Sequence, residues 1–278
     1  MKRKNWSVRL ALTFLIVLSL AALFAEWVSP YRFDEQIIED RLSGPSLQHW
    51  MGTDSLGRDL LTRILFGARL SLSIGFLTGL FGLLLGTLIG VVAAWRGGWV
   101  DIILMRLTDF LTTLPSILIA ILLTLFFGRG FFGIFFALVC TSWMTHARIV
   151  RGNVLQLRSL PFIESAIALG ASEPQLLWRH ILPSLWGSIF VSLSFQIPAN
   201  IMAESFLAFL GLGFEPPYSS WGTLAQDGFR AMRSFPHLIL FPGLTLYFSL
   251  VGFQILSNHF MTRSLGHSQY SQNSRLEA

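Results

Sequence analysis

The sequence predicts an all-α membrane protein with six transmembrane helices, and three observations carry that prediction. Hydrophobic residues make up 53% of the 278-residue chain and charged residues only 13%, whereas soluble domains hold about a quarter charged residues. The mean hydropathy is +0.61. Apolar runs close to the ~20 residues that span a bilayer recur at roughly 8–28, 70–95, 102–127, 131–150, 185–212 and 238–258. Together they make one membrane domain.

The expected layout has three parts. An N-terminal anchor helix, an external loop and an interfacial helix fill 1–69. A membrane core fills 70–260 and includes a polar loop at 151–183. A polar tail at 261–278 has the composition of a disordered segment. Six spans put both termini on one side. Lys2, Arg3, Lys4 and Arg9 place that side in the cytoplasm, together with Arg148, Arg151, Arg158 and Arg179. Eight of the 20 basic residues fall outside, five of them in the first loop beside Asp34, Glu35, Glu39, Asp40, Asp54 and Asp59. The net charge of +5 therefore follows from topology, and no basic stripe points to nucleic acid. Cys140 is the only cysteine and lies in an apolar run, so no disulfide framework is expected. The basic start could open a signal peptide, but Leu23 stands where a cleavage site near Ala25 needs a small residue.

The elements follow in order. The first loop, Ser29 to Arg69, ends in a helix expected from about Gly57. Leu60, Leu61, Ile64, Leu65 and Ala68 share one face, with Arg58, Asp59, Thr62, Arg63 and Arg69 elsewhere, as suits a helix lying in the interface. Asp54 or Ser55 is the expected cap. The second span carries Gly75, Gly79, Gly82, Gly86 and Gly90 on one face. Small residues so placed let another helix approach closely, in this chain or in a second subunit. In the third span Arg106 and Asp109 have the spacing to pair, and Pro115 is expected to kink the helix. Trp50 and Trp221 suit the outer interface, where Trp is enriched.

Between the fourth and fifth spans lies a polar island with helical grammar. Pro161 suits a first helical turn, Gly170 the position just past a helix end, and Ser172 with Gln175 a capping box with Pro174 in the next first turn. A second short helix runs through Trp178 to Leu182, where Pro183 is expected to interrupt it. The island reads either as a docking knob for a soluble partner or as a loop folded on its own membrane domain. In the fifth span Ser188, Ser192, Gln196, Asn200 and Glu204 recur every four residues, drifting about 40° per step. An ionisable group within a span is normally turned to a cavity or a partner. The row therefore lines a translocation path or is interhelical hydrogen-bond glue.

No catalytic constellation is found, and the six histidines show no metal-ligand spacing. Lys2 and Lys4 are the only lysines, so a phosphate-binding Gly-Lys-Ser/Thr loop is impossible here. Transport driven by ATP would need another subunit to hydrolyse it. Rival readings are a secondary transporter with Glu204 as its proton or sodium site, and an intramembrane enzyme, which the missing nucleophile–base pair disfavours.

Glu164-Ser165-Ala166, then Gly170-Ala171-Ser172, then Ile181-Leu182-Pro183 resembles the EAA loop of permease subunits from bacterial ABC importers, with Ser165 where the family usually has alanine. Gly52-Thr53-Asp54 with Gly57-Arg58-Asp59, Gly67-Ala68-Arg69-Leu70-Ser71, and Ser205 to Gly213 with Pro216-Pro217 and Trp221-Gly222 look like the signature of the peptide/nickel branch. The first span with Ser29-Pro30-Tyr31 is similar to that branch's C-type subunit. The resemblance implies the transmembrane-domain fold of a type I ABC importer, with a cytoplasmic coupling helix at the EAA loop. It implies a heterodimer with a second, related permease in the inner membrane. It also implies two ABC ATPase subunits that use ATP and Mg²⁺, an external solute-binding protein, and alternating access. The expected cargo is a di- or oligopeptide, with nickel or another small solute as the alternative. No cofactor is expected on this chain.

Overall fold

In lipid, a chain with no water to bond must satisfy its own backbone, and helices do so within one segment. The computed structural model describes residues 5–276, and helices dominate it. α1 (Asn5–Leu23) and the short α2 (Ala25–Val28) lead into an ordered loop. α3 runs Leu60–Arg96 without a break, so the interfacial helix expected before residue 70 and the second span are one rod. At 1.5 Å per residue it is about 55 Å long, well beyond the ~30 Å hydrocarbon core, and its first turns belong to a cap outside that core. α4 (Gly98–Thr113) and α5 (Ser116–Phe127) form the span expected at 102–127, broken at the proline expected to kink it. They are bent by 91° at Leu114-Pro115, because proline disfavours a helical residue before it and brings no N–H to the ladder. α6 (Phe131–Arg158), α7 (Pro161–Ala168), α8 (Glu173–Leu176), α9 (Leu182–Leu207), α10 (Trp221–Ala231) and α11 (His237–Leu276) complete the chain. Five stretches are long and apolar enough to cross a membrane, and the bent α4–α5 pair makes a sixth.

The glycine face of α3 serves two partners, both in this chain. A Cβ on Gly86 would lie 2.6 Å from His146 Cβ and 2.7 Å from the Trp143 carbonyl, and one on Gly90 2.9 Å from Val150 Cβ. Gly82 likewise meets Ser142, so these three seat α6. Gly75 and Gly79 lie against Ile201 and Leu193 of α9. The helices have no hydrophobic drive to associate in lipid, and close backbone approach supplies the dispersion contact instead. Charges tie the bundle at one end. Asp109 pairs with Arg148 at 3.1 Å, and Asp101 with Arg151 at 2.6 Å. Asp109 thus bonds across to α6 and not along its own helix to Arg106, since a guanidinium reaches a facing helix easily.

α9 is continued at both ends by π turns, Leu177–Ile181 and Ala208–Leu212. The interruption expected at Pro183 does not occur. The proline sits in the first turn of α9 just after a π turn, a wider coil that tolerates a local break in the ladder. Pro198 lies inside α9 and leaves the Ser194 carbonyl without its donor. Ser257 of α11, wholly buried, donates to that carbonyl at 2.6 Å. Ser257→Ala is therefore expected to lower stability by about 1 kcal/mol, read as a fall in the unfolding midpoint of the purified protein in detergent.

At the opposite end from the Asp101–Arg151 pair, residues 29–69 and 213–237 form the cap. Asp59, and neither Asp54 nor Ser55, caps α3, accepting from Thr62 N at 2.8 Å and Thr62 Oγ1 at 2.7 Å. Asp54 instead gathers Leu56 N at 2.8 Å, Arg58 Nε at 2.7 Å and Arg63 Nη1 at 2.6 Å. Arg58, Asp59, Thr62 and Arg63, expected off the apolar face of an interfacial helix, are all buried, because the loop before them folds back over α3. Gly57, at φ +73°, lies so close to the Ile37 backbone that no side chain fits there. Trp221 does not anchor at the interface as expected. It is buried, with Nε1 donating to the Ile64 carbonyl at 3.2 Å, while Trp50 is exposed. The tail expected to be disordered from residue 261 extends α11 to Leu276, as a helix already nucleated adds residues one bond at a time.

Candidate functional site

The polar island forms a helical knob. Pro161 opens α7, and Gly170 stands at φ +85° past its end, in open space. Ala171 N bonds back to the Ala166 carbonyl at 3.0 Å, the closing bond of a helix end that wants a left-handed residue. Ser172 N donates to Gln175 Oε1 at 2.9 Å as the capping box predicts. The backbone of Glu164 lies within α7, and its side chain lies outside the described residues. Ser165 turns its hydroxyl to the Pro161 carbonyl at 2.8 Å.

The knob has two faces. Ile163 and Ile181 are buried against Val150, Val154, Leu185 and Ala94, and Leu176 is buried as well. Phe162, Ile167, Leu169 and Trp178 face outward, Leu169 at 89% and Trp178 at 75% exposure. Leu182 is partly buried on the inner cluster and Pro183 is exposed. The base is strapped to α3. Arg158 donates to the carbonyls of Ala94 and Trp95 at 3.1 and 3.0 Å, and its guanidinium lies over the Trp95 ring at 5.3 Å. A cation at a helix C-terminus also meets the negative end of the dipole. Sequence reasoning counted Arg158 only for its charge; its place three residues before Pro161 was the available signal.

Two cavities lie in the bundle between the knob and the cap. The first, about 410 Å³, sits at the Pro115 elbow and is lined by Thr112, Ser116, Thr141, Ser142, Thr145, Gln196 and Asn200 among others. The second, about 470 Å³, shares Thr145 and Gln196 with it and adds His146, Asn153, Ser188 and Ser192. Among the described residues, no Asp, Glu, Lys or Arg lines either one. The fifth-span row is thus split. Ser188, Ser192, Gln196 and Asn200 line the cavities, and Glu204 does not. The winding of about 40° per step has turned Glu204 away, wholly buried, to accept from Ser71 Oγ at 2.9 Å and Ser205 Oγ at 3.3 Å. Asn200 Nδ2 donates to Thr78 Oγ1 at 2.7 Å, and Gln196 Nε2 to Asn200 Oδ1 at 2.7 Å. Cavity lining and interhelical bonding therefore both occur in one row. The α6 contributors Thr141, Ser142, Thr145, His146 and Asn153 were missed in the sequence, although their spacings of three, four and eight put them near one helix face.

A family model described as the binding-protein-dependent transport system inner membrane component matches residues 86–263. Another, the N-terminal TM domain of oligopeptide transport permease C, matches residues 3–45. The chain is 38% identical over 256 residues to the oligopeptide transport system permease protein OppC of Bacillus subtilis (strain 168), covering 92% of this chain and 84% of that one. It is 40% identical over 258 residues to the glutathione transport system permease protein GsiD of Escherichia coli O157:H7, covering 92% and 85%. A chain of the MetNI methionine ABC transporter, solved in inward-facing conformations, shares the fold at a TM-score of 0.60 and 15% identity, over 74% of this chain and 96% of that chain.

Proposed function

The chain belongs to the family of binding-protein-dependent transport system inner membrane components, and we propose that it is one half of the membrane pathway of an ATP-driven peptide importer. One observation carries this reading above the rest: an outward apolar knob is fastened to the same helices that line an uncharged polar cavity. Such a knob suits docking by a soluble subunit. With lysine only at positions 2 and 4, the chain cannot build a phosphate loop, and ATP with Mg²⁺ is used by two partner ATPases. The knob end and both termini face the cytoplasm, in accord with the basic start. The cap faces outward, toward a solute-binding protein. A second, related permease completes the pathway.

In this mechanism, closure of the ATPase pair moves α7. Ile163 passes the motion to Val154 and Leu185, and Arg158 passes it to the end of α3. α6 and α9, seated on the glycine faces of α3, then tilt and open the cavities to one side at a time. Hydroxyl and amide linings hydrogen-bond a peptide of any side-chain charge without trapping it, because no fixed counter-ion is present. The relatives' printed substrates, oligopeptides and glutathione, support a peptide cargo.

Leu169→Asp tests the reading. Leu169 is 89% exposed and so contributes little to folding. Placing a carboxylate in the docked interface is expected to cut ATPase co-purification and ATP-dependent peptide uptake by about tenfold or more, at about 1.4 kcal/mol per decade. Recovery of the permease pair should not change. Normal ATPase capture with normal uptake would refute the docking role.

A further inference from the structure

His146 raises a problem that the transport path as described does not solve. It is 2% exposed, and among the described residues neither ring nitrogen has a hydrogen-bond partner. A buried polar group left unpaired is costly, and such groups in a native protein call for an explanation. Packing alone does not give one: α6 could place leucine there against Gly86 with no orphaned nitrogen. The ring lines the second cavity, where Thr145, Asn153, Ser188, Ser192 and Gln196 add hydrogen-bonding groups and Ile149, Val191, Phe195 and Met261 add apolar ones. Asn153 and Ser188 are already bonded to each other at 2.9 Å.

We propose that the second cavity is a binding station for the peptide backbone on the knob side of the pathway, and that His146 is its specificity-determining residue. A neutral imidazole offers one donor and one acceptor, and a peptide unit offers one acceptor and one donor. The pairing is independent of the peptide's side chains, and the apolar part of the lining accommodates those. Thr145 and Gln196 border both cavities, so this station adjoins the cavity at the Pro115 elbow. The inference rests on the peptide-importer reading above.

The test uses the whole transporter, with both permeases, both ATPases and the binding protein, reconstituted in vesicles with labelled trialanine as the probe. Wild-type vesicles that show no ATP-dependent peptide uptake would remove the importer reading itself. With wild-type uptake established, His146→Leu is expected to lower uptake by about three- to tenfold, the worth of one net hydrogen bond. Binding-protein-stimulated ATP hydrolysis, the unfolding midpoint and recovery of the permease pair should stay near wild type. His146→Gln, which keeps a donor and an acceptor, is expected to restore most of the loss. Ser192→Phe, which fills the cavity, should lower uptake at least as far. Unchanged uptake in His146→Leu and Ser192→Phe would overturn the proposal. So would a loss matched by an equal loss of stability or of permease pairing, which would make His146 a packing or subunit-contact residue.

Discussion

Asp54→Ala is expected to unfold the cap and leave little intact protein to purify. Its carboxylate holds Arg58 at 2.7 Å and Arg63 at 2.6 Å, and both guanidinium groups are more than nine-tenths buried. Removing one partner of a buried pair strands the other charge and costs about 3–5 kcal/mol. Two cations are stranded here, and the remaining anion near Arg63, Asp227, is at 3.8 Å. Asp54→Asn should fall short of the wild type as well, because an amide offers one carbonyl oxygen and no charge. The measurement is the yield of monodisperse protein in detergent, with its unfolding midpoint. Wild-type values for Asp54→Ala would show that the arginines find other partners.

Gly86→Leu is expected to separate α3 from α6. The new Cβ would press on the Trp143 carbonyl at 2.7 Å and the Ala147 nitrogen at 3.0 Å, and backbone atoms have no rotamer by which to retreat. The cost lies at or beyond the upper end of the about 1–3 kcal/mol typical of overpacking. Gly86→Ala should be milder in degree but of the same sign. Cysteine crosslinking between α3 and α6 checks the separation directly, with loss of uptake as the second readout. Full crosslinking and uptake in Gly86→Leu would refute it.

Local rules made much of the fold legible. Apolar run length located the spans, and the Pro161, Gly170 and Ser172–Gln175 pattern located the first short helix of the knob and the start of the second, which runs on into α9, since caps and proline act within a turn. The Pro115 bend was legible for the same reason. The rest depended on which segment lies across from which. A periodicity that sorts Leu60 from Arg63 cannot know that residues 29–59 fold over the charged side and bury it. Spacing along one helix suggested Arg106 with Asp109, whereas the facing helix supplied Arg148. The glycine face announced close packing but not that it changes partner between Gly79 and Gly82. In the candidate site, the row from Ser188 to Glu204 was visible, and its last member turned away only because a straight helix drifts against a spacing of four. His146 looked like one more residue in an apolar span, because a missing hydrogen bond is a property of surroundings that the sequence does not display.

Pro198 stands between Gln196 and Asn200, whose side chains bond each other at 2.7 Å. The proline has removed the backbone tie at this level, and Ser257 restores it from the far side of the helix. The amide pair therefore spans the turn of α9 whose ladder is interrupted, so side chains that border the first cavity also stitch the helix where its own backbone bond is missing.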